Sequence, residues 1–255
     1  MKLVSLNIWG GQIFEPLLNF IKNQSASTDI FCFQEVFSTP TDRQWAGTAR
    51  LDIYQQIKNL LVDFQDFSAP AQDNIIFGGS VDFPVSFGLA MFVKKAITVE
   101  THGDIFVFRD RNSREKEDHR TIGKNLEFIT FNNNQTKFAV FNLHGLWNDQ
   151  GKTDTADRLE QSRKIKDFLQ KFTDYKIILC GDFNLLPDTA SLKILETNLI
   201  NLVKKHKINS TRSSLYSKPN KFANYALVSP DLKIKNFAVL PDEVSDHLAL
   251  ALEFN

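Results

Sequence analysis

The sequence has little of several features that mark particular protein classes. Among 255 residues there are two cysteines, Cys32 and Cys180, and each lies within an apolar run. This usage indicates neither a disulfide framework nor a cysteine metal site. No apolar run is long enough to span a membrane, and no signal-like segment precedes the first predicted strand. We expect a cytoplasmic protein without stable membrane insertion; a secreted form whose signal has been removed is the alternative.

The chain also has no net charge, because 30 Lys and Arg balance 30 Asp and Glu. This balance argues against a strongly basic nucleic-acid-binding protein, although a local basic patch is compatible with it. What is abundant is apolar bulk: 42% of the residues are hydrophobic and 23 are phenylalanine, enough for a large core. Since the polar segments described below span nearly the whole length, we expect residues 1–255 to form one domain, acting as a monomer.

Hydrophobic periodicity predicts a chain that mixes helices with strands. Helices are predicted at residues 14–23, 50–63, 154–172 and 189–198, and strands at residues 2–6, 29–34, 89–93, 127–131, 137–143, 176–181, 224–229, 234–239 and 248–254. Residues 132–134, three asparagines, are typical of a hairpin turn, which makes one strand pair antiparallel. Residues 72–88 and the charge-dense residues 109–125 are predicted to be loops. The pattern favours a layered α/β fold with mixed sheets.

Short polar segments follow or interrupt these apolar strands. In chain order they are Asn7, Gln34-Glu35, Asn142-Leu143-His144, Gly181-Asp182-Phe183-Asn184 and Ser245-Asp246-His247. Strand ends are where an α/β scaffold presents its functional groups, as in the crevices outside the carboxyl ends of open sheets. We therefore expect these five segments to meet in one site.

The spacing within two segments places pairs of polar side chains on one face of a strand. Asp182 and Asn184 are two residues apart, as are Asn142 and His144, and alternate residues of a strand point the same way. Each pair could therefore address one ligand. Considered separately, Asp182 and Asn184 fit an Asx-type turn equally well, and a lone strand histidine is usually structural.

The other two segments carry carboxylates next to apolar strands. Glu35 directly follows a buried run, where a carboxylate needs a partner or a cation; an arginine partner or a solvated strand end is the alternative. Asp246 and His247 precede a plain strand and could supply a metal ligand and a general base, or form a surface turn. As a set, these groups are the components of a phosphate-ester hydrolase that uses Mg²⁺, or Mn²⁺ in its place.

In this order the segments resemble the endonuclease/exonuclease/phosphatase superfamily, which includes DNase I-like nucleases, inositol polyphosphate 5-phosphatases and neutral sphingomyelinases. The resemblance covers essentially the whole chain and is specific as an ordered set. It implies a four-layer α/β sandwich in which two mixed sheets pack face to face with helices outside. It also implies a metal-dependent phosphoesterase.

The resemblance further implies a role for each position. Glu35 would be the principal Mg²⁺ ligand, with Asn7 and Asp246 beside it. Asp182 and Asn184 would orient the attacking water or the phosphate, and His247 would act as general base or polarise the phosphate. His144, which could donate a hydrogen bond or a proton to a phosphate oxygen, stands where DNase I-like and sphingomyelinase-like members carry a histidine, which argues against abasic-site repair.

One position departs from the family pattern. Asn224 stands where the family usually has an aspartate that accepts a hydrogen bond from the catalytic histidine, His247 here. An amide can accept that bond but cannot supply the charge that stabilises an imidazolium. We therefore expect a slower enzyme or another carboxylate nearby. The alternative function is a catalytically impaired module that binds phosphate ligands.

The substrate is less well indicated. Arg212, at the end of a basic segment, and Arg120, near a strand start, are candidates to bind phosphate. For Arg212 a solvated position is equally compatible. Nucleic acid, a phosphorylated small molecule and a phospholipid all remain open as the phosphate-ester substrate.

Overall fold

The computed structural model describes residues 1–77, 79–113, 122–148 and 150–255. Its first sheet has six strands, in the spatial order β15 (Ile234–Val239), β16 (Leu250–Phe254), β1 (Lys2–Asn7), β2 (Ile30–Ser38), β8 (Ser86–Lys94) and β5 (Phe64–Asp73). β1 and β2 are parallel and the other neighbours are antiparallel, so the sheet is mixed.

The second sheet also has six strands, in the order β13 (Ile200–Asn201), β14 (Asn224–Val228), β12 (Lys176–Asp182), β11 (Thr136–His144), β10 (Lys124–Asn133) and β9 (Val99–Phe108). Here β11 and β12 form the parallel pair. Two small hairpins lie outside the sheets: β3 (Trp45–Ala46) with β4 (Ala49–Arg50), and β6 (Ile75–Ile76) with β7 (Gly79–Ser80).

Helices cover the outer faces of both sheets. They are α1 (Phe14–Ser25), α2 (Ile53–Leu60), α3 (Ala156–Leu169), α4 (Ala190–Leu195) and α5 (Leu202–Lys205). Alternation along β1 shows why the layers form: Val4 and Leu6 pack with the apolar faces of α1 and α2, whereas Leu3 points into the core shared with the second sheet. The protein is the four-layer α/β sandwich that the sequence predicted.

The core between the sheets also contains a buried polar chain. Gln34 donates to Asn142 Oδ1 at 2.6 Å, and Asn142 Nδ2 donates to the Glu127 carboxylate at 3.1 Å. His102, on the edge strand β9, lies 3.3 Å from the same carboxylate. These bonds satisfy polar groups that would otherwise destabilise an apolar core. Asn142 therefore connects the two sheets behind the strand ends.

The predicted helices and strands are present, but the sequence missed two long strands, β5 and β9, as well as helix α5 and the two-residue strands β3, β4, β6, β7 and β13. β5 and β9 both lie at sheet edges. Residues 72–88 are not simply a loop, because they contain the end of β5, the β6–β7 hairpin and the start of β8. Much of the charge-dense segment at residues 109–125 lies outside the described residues.

Gly181 lets β11 and β12 approach closely beside the strand ends. Its φ is +134°, and a Cβ there would lie 2.1 Å from the carbonyl oxygen of Leu143. We expect Gly181→Ala to lower the free energy of unfolding by more than about 2 kcal/mol, measured by chemical denaturation. Gly47→Ala is the control, because Gly47 also has a positive φ but meets nothing within 4 Å. Equal losses in the two variants would show that the close approach of the strands is not the cause.

Candidate active site

The polar segments meet at one end of the sandwich. β1 and β2 run parallel, as do β11 and β12, so their carboxyl ends lie together. His144 pairs with Asp182 in the ladder, and Asp182 pairs with Asn224. His144 and Asp182, together with Asp246 and His247, form the floor of a cleft of about 550 Å³, and Asn224 lies behind His247.

Glu35 is presented by an irregularity in β2. The ladder shifts register between Gln34 and Val36, and Glu35 has a φ of +59°, in the left-handed region. Such backbone is costly for a residue with a side chain, so the sheet around it must hold it there. Burial raises the pKa of the Glu35 carboxyl from 4.5 to about 7, despite the hydrogen bond that Asn7 Nδ2 donates to it at 2.9 Å.

Glu35, His144 and Asp182 form a cluster that could hold a metal ion, since one ligand atom from each lies within 4.8 Å of the others. His144 Nε2 is 3.6 Å from Glu35 Oε1 and 4.0 Å from Asp182 Oδ2. Burial lowers the pKa of His144 to about 3. The imidazole is therefore neutral, the form that ligates metals, and two carboxylates supply the oxygen atoms that Mg²⁺ and Mn²⁺ prefer. The residues fit a hard divalent cation.

Asn7 and Asp246, the other predicted metal ligands, lie beside this cluster in different ways. Asn7 directs its Nδ2 to both Glu35 and Asp182, and its Oδ1 accepts from the backbone N–H of Trp9 at 2.9 Å. Asp246 pairs through Oδ2 with Arg212 Nη1 at 2.5 Å. In this arrangement, Asn7 holds the carboxylates of Glu35 and Asp182, and Asp246 pairs with the Arg212 guanidinium.

Asp182 connects the cluster to His247. Its Oδ1 accepts from the backbone N–H of Asn184 at 3.0 Å, and its Oδ2 lies 3.4 Å from His247 Nε2. Burial would raise the pKa of Asp182, but the positive groups around it, His247 and Arg212 foremost, outweigh burial and hold the pKa well below its usual range. Since burial also lowers the pKa of His247, Arg212 and Lys152 are the lasting positive groups near the ionised Asp182 carboxylate.

Asn224 keeps the contact that an aspartate would make. Its Oδ1 lies 2.6 Å from His247 Nδ1, and its Nδ2 donates to the carbonyl of Leu248 at 3.0 Å. Because that carbonyl accepts only, the amide oxygen must face His247, and Nδ1 must carry the proton. Nε2 is then free to act at the cleft. Two carboxylates, Asp182 and Asp246, lie 3.4 and 3.7 Å from Nε2 and supply the charge that Asn224 lacks.

The remaining predicted residues occupy distinct positions. Asn184, with a φ of +53°, donates from Nδ2 to the carbonyl of Gly145 at 3.2 Å and so ties together the loops after β12 and β11. Arg212 lines the cleft, with its guanidinium 4.0 Å from the ring centre of Tyr216 and its buried Nε without a hydrogen-bond partner. Arg120 lies outside the described residues.

Two lysines near the site were not predicted from the sequence. Lys124 lines the cleft floor, and Lys152 donates to the carbonyl of Phe222 at 3.0 Å. Burial lowers the pKa of each to about 8. Nearby carboxylates act in the opposite direction: Glu35 and Asp182 on Lys124, and Asp182 and Asp246 on Lys152. Lysines in charged or turn-like segments normally lie in solvent, so no local pattern distinguishes these two.

Helix α3 fixes the loop that follows His144. Arg158 is fully buried and donates to three backbone carbonyls, those of Leu146, Gly151 and Thr153. Gln161 accepts from the backbone N–H of Leu146 at 2.9 Å. A guanidinium can hold several carbonyls at once because its donors form a rigid fork. The loop is therefore anchored on one rim of the cleft.

The fold and this site together define a phosphoesterase of the four-layer sandwich type. A model of the Endonuclease/Exonuclease/phosphatase family matches residues 4–247, and the chain belongs to this family. It is a hydrolase that acts on phosphoric ester bonds, as the sequence predicted. Members of this family generally depend on a divalent metal. No helix within the described ranges is long and apolar enough to cross a membrane.

Several solved structures are similar to this chain. A mannosyl-6-phosphatase from Bacteroides thetaiotaomicron has a TM-score of 0.73 at 17% identity, covering 100% of this chain and 99% of that one. A family protein from Leptotrichia buccalis has a TM-score of 0.74 at 17% identity, with coverage of 100% and 99%. The human nocturnin catalytic domain with bound sulfate has a TM-score of 0.67 at 17% identity, with coverage of 100% and 94%. No curated protein sequence matches the chain significantly.

Proposed function

We propose that this protein is a Mg²⁺-dependent phosphoesterase that hydrolyses a phosphodiester or phosphomonoester by in-line attack of water, with Mn²⁺ able to replace Mg²⁺. The observation that carries the proposal is the cluster of Glu35, His144 and Asp182 beside the oriented imidazole of His247. Because every group of this cluster comes from one chain, we propose that residues 1–255 act as a single domain and as a monomer.

Glu35 is the principal metal ligand in this proposal. Asp182 and neutral His144 offer atoms close enough to complete the site, and Asn7 and Asp246 stand beside it. When bound, the divalent cation would offset the negative charge that builds up on the phosphate oxygens. A cation would also compensate the buried carboxylates, whose ionisation is otherwise costly.

The protein's own groups orient the reactants. Asn224 fixes the proton on His247 Nδ1, so that Nε2 can take a proton from the attacking water or contact a phosphate oxygen. Asp182, 3.4 Å from Nε2, and Asn184, which lines the cleft, would hold the water or the phosphate against Nε2. Arg212 supplies a positive group for the phosphate on the same floor. No residue is required as a covalent nucleophile.

Asn224 does not favour the alternative function, a catalytically impaired binding module. That interpretation depends on the loss of the aspartate, yet Asn224 retains the acceptor at 2.6 Å and two carboxylates flank the other ring nitrogen. The proposal and its alternative differ in one observable, which is turnover by the unaltered chain.

The experiment that tests the proposal measures hydrolysis of a substrate panel with added Mg²⁺ or Mn²⁺. The panel contains plasmid DNA, single-stranded RNA, an inositol polyphosphate, mannose 6-phosphate, sphingomyelin and bis-p-nitrophenyl phosphate, with wild type, Glu35→Ala and Asn224→Asp run side by side. We expect wild type to cleave at least one substrate and Glu35→Ala to cleave none. Cleavage by Asn224→Asp alone would instead support the binding module.

Metal affinity is expected to depend on pH through Glu35. Its raised pKa of about 7 means that a proton must leave before a cation binds. Affinity for Mn²⁺ should therefore rise about tenfold per pH unit up to about pH 7 and level off above it. The same shift means that the metal-free protein loses folding stability as the pH rises from 4.5 through about 7. Calorimetric Mn²⁺ titrations below and above about pH 7 measure the affinity for the metal. An affinity that does not change with pH would contradict the expected dependence on Glu35.

A further inference from the structure

The rim of the catalytic cleft is more apolar than the rest of the surface. Among the described residues, the exposed large hydrophobic side chains are Trp45, Val62, Phe77, Trp147 and Leu215. Three of these five line the cleft: Phe77 is 42% exposed, Trp147 38% and Leu215 41%. Exposed apolar side chains scattered singly need no explanation, but a group of them around one cleft marks a binding surface.

Phe77 forms the outer end of a row of aromatic rings on one side of the cleft. Its ring centre lies 5.2 Å from that of Phe37, which lies 4.8 Å from Phe87, and Phe87 lies 6.3 Å from His144. A Cβ at Gly10 would lie 2.6 Å from the Phe77 ring, so this glycine lets the ring settle against the backbone. These ring contacts hold Phe77 in place, and the row of rings runs from the rim to His144.

Trp147 follows β11 of the second sheet and lines the cleft together with Leu215 and Tyr216, whereas Phe77 packs on rings of the first sheet. The Lys218 ammonium lies 5.8 Å from the Trp147 ring centre, a cation–π contact that helps to place the indole. Trp147 also belongs to the loop that Arg158 anchors through three carbonyls. Both parts of the rim are thus built from supported aromatic rings.

The distribution of polar side chains around the cleft limits the classes of ligand that it suits. Among the described residues that line the cleft, the carboxylates, His144, His247 and Arg212 lie on the floor, whereas the rim is mainly aromatic and apolar, with Tyr216, Ser217 and Lys218 as its polar side chains. A sugar or inositol ring would need many polar partners at the rim, because hydroxyl groups are costly to bury unpaired. At about 550 Å³ the cleft has the size of a small-molecule site, and the chain lacks the net positive charge typical of polynucleotide binding.

We propose that the natural substrate is a small phosphate ester in which a planar aromatic ring, an aryl group or a nucleobase, is attached near the phosphate and lies between Phe77 and Trp147. This inference rests on the proposed function, since it places the phosphate on the floor formed by Glu35, Asp182 and Arg212. The negative phosphate would face the metal-ligand cluster of Glu35, His144 and Asp182 and the Arg212 guanidinium. The aromatic ring of the substrate would face the rings of the rim. Fixed aromatic faces suit a rigid ring better than a flexible acyl chain.

Binding provides a test that does not need turnover. Calorimetric titration with Mg²⁺ present compares phenylphosphonate, methylphosphonate and octylphosphonate on the full chain. We expect wild type to bind the phenyl compound at least about tenfold more tightly than the methyl compound, the effect of one stacked ring. Phe77→Ala and Trp147→Ala should each remove most of this preference. Trp45→Ala is the control, because Trp45 is equally exposed but does not line the cleft.

Kinetics test the same inference with diesters of which one carries a ring. The substrates are trifluoroethyl esters of phenyl, methyl and octyl phosphate, for which kcat/KM is measured from ester cleavage followed by ³¹P NMR, so the phenyl compound alone carries a ring. We expect the ratio of phenyl to methyl kcat/KM to fall about tenfold in Phe77→Ala and Trp147→Ala and to stay unchanged in Trp45→Ala. Recovery of the ratio in Trp147→Phe would show that an aromatic face, and not loop stability, is responsible.

Three results would overturn the inference. Equal losses for phenyl and methyl compounds would mean that the rim only supports the floor. No loss for either would mean that the rim does not touch the ligand. Tighter binding or faster cleavage of the octyl compound would indicate a lipid-like substrate. If wild type turns over neither these esters nor any substrate of the panel above, the proposed function fails, and the phosphonate titrations still decide whether the aromatic rim selects its ligand.

Discussion

Glu35→Gln is expected to lower phosphoester hydrolysis by at least about a thousandfold while leaving the fold intact. Metal ions contribute several kcal/mol to transition-state stabilisation, and each 1.36 kcal/mol changes a rate by about tenfold. The glutamine keeps the size of the side chain and an oxygen that can accept from Asn7 Nδ2, the bond that Glu35 accepts at 2.9 Å. What it removes is the negative charge that a divalent cation needs.

The measurement combines kcat/KM with the shift in melting temperature that Mn²⁺ produces. In wild type, metal binding should raise the melting temperature, because a ligand that binds the native state stabilises it. Both the activity and this shift should be lost in Glu35→Gln. Glu160→Gln is the matched control, since Glu160 lies on α3 with a side chain 57% exposed. Full activity in Glu35→Gln would show that Glu35 is not a required metal ligand.

His247→Gln is expected to lower kcat by about 100- to 10,000-fold, the usual contribution of a positioned acid or base. Nε2 of His247 lies 3.4 Å from Asp182, beside the metal cluster, and no other described imidazole has its second nitrogen fixed by an amide as Asn224 fixes this one. His206→Gln, at an exposed histidine, is the control and should behave as wild type. A His247→Gln enzyme within about threefold of wild type would contradict the role.

The Asn224 variants separate orientation from charge. Asn224→Ala removes the acceptor at Nδ1 and should lower kcat by more than tenfold, because the ring loses its fixed tautomer. Asn224→Asp should keep the orientation and add a charge where Asp182 and Asp246 already supply one nearby. In the Ser-His-Asp triad of serine proteases, whose chemistry is different, replacing the aspartate by asparagine costs about 10⁴ in rate because it favours the wrong histidine tautomer. Here Asn224 turns its amide oxygen to His247 Nδ1 and two carboxylates lie near Nε2, so we expect a smaller difference.

The sequence predicted the fold well where its elements are buried on one or both faces. β2, β11 and β12 are apolar runs that end in polar residues, and this contrast can be recognised in the sequence alone. β5 and β9 were missed because edge strands carry a weaker pattern. β5 includes Pro70 at a register shift, which a strand tolerates at an edge but which in a sequence normally indicates a break.

The same contrast explains what could be predicted of the site. His144 and Asp182 end buried strands, Glu35 lies at an irregularity within β2, and His247 precedes β16. Their places beside apolar runs were therefore accessible from the sequence. The contacts of Asn7 with two carboxylates and of Arg212 with Asp246 depend on tertiary placement that no local pattern encodes. For the same reason the sequence could not show that Asn224 has two carboxylates on the far side of His247.

Hydrolysis by this protein should depend on a divalent cation held by the cluster of Glu35, His144 and Asp182. The most direct test measures wild-type hydrolysis of bis-p-nitrophenyl phosphate before and after EDTA treatment, and again after Mg²⁺ or Mn²⁺ is added back in excess. We expect EDTA to abolish turnover and either cation to restore it. Undiminished turnover in EDTA would rule out a metal-dependent reaction at this site.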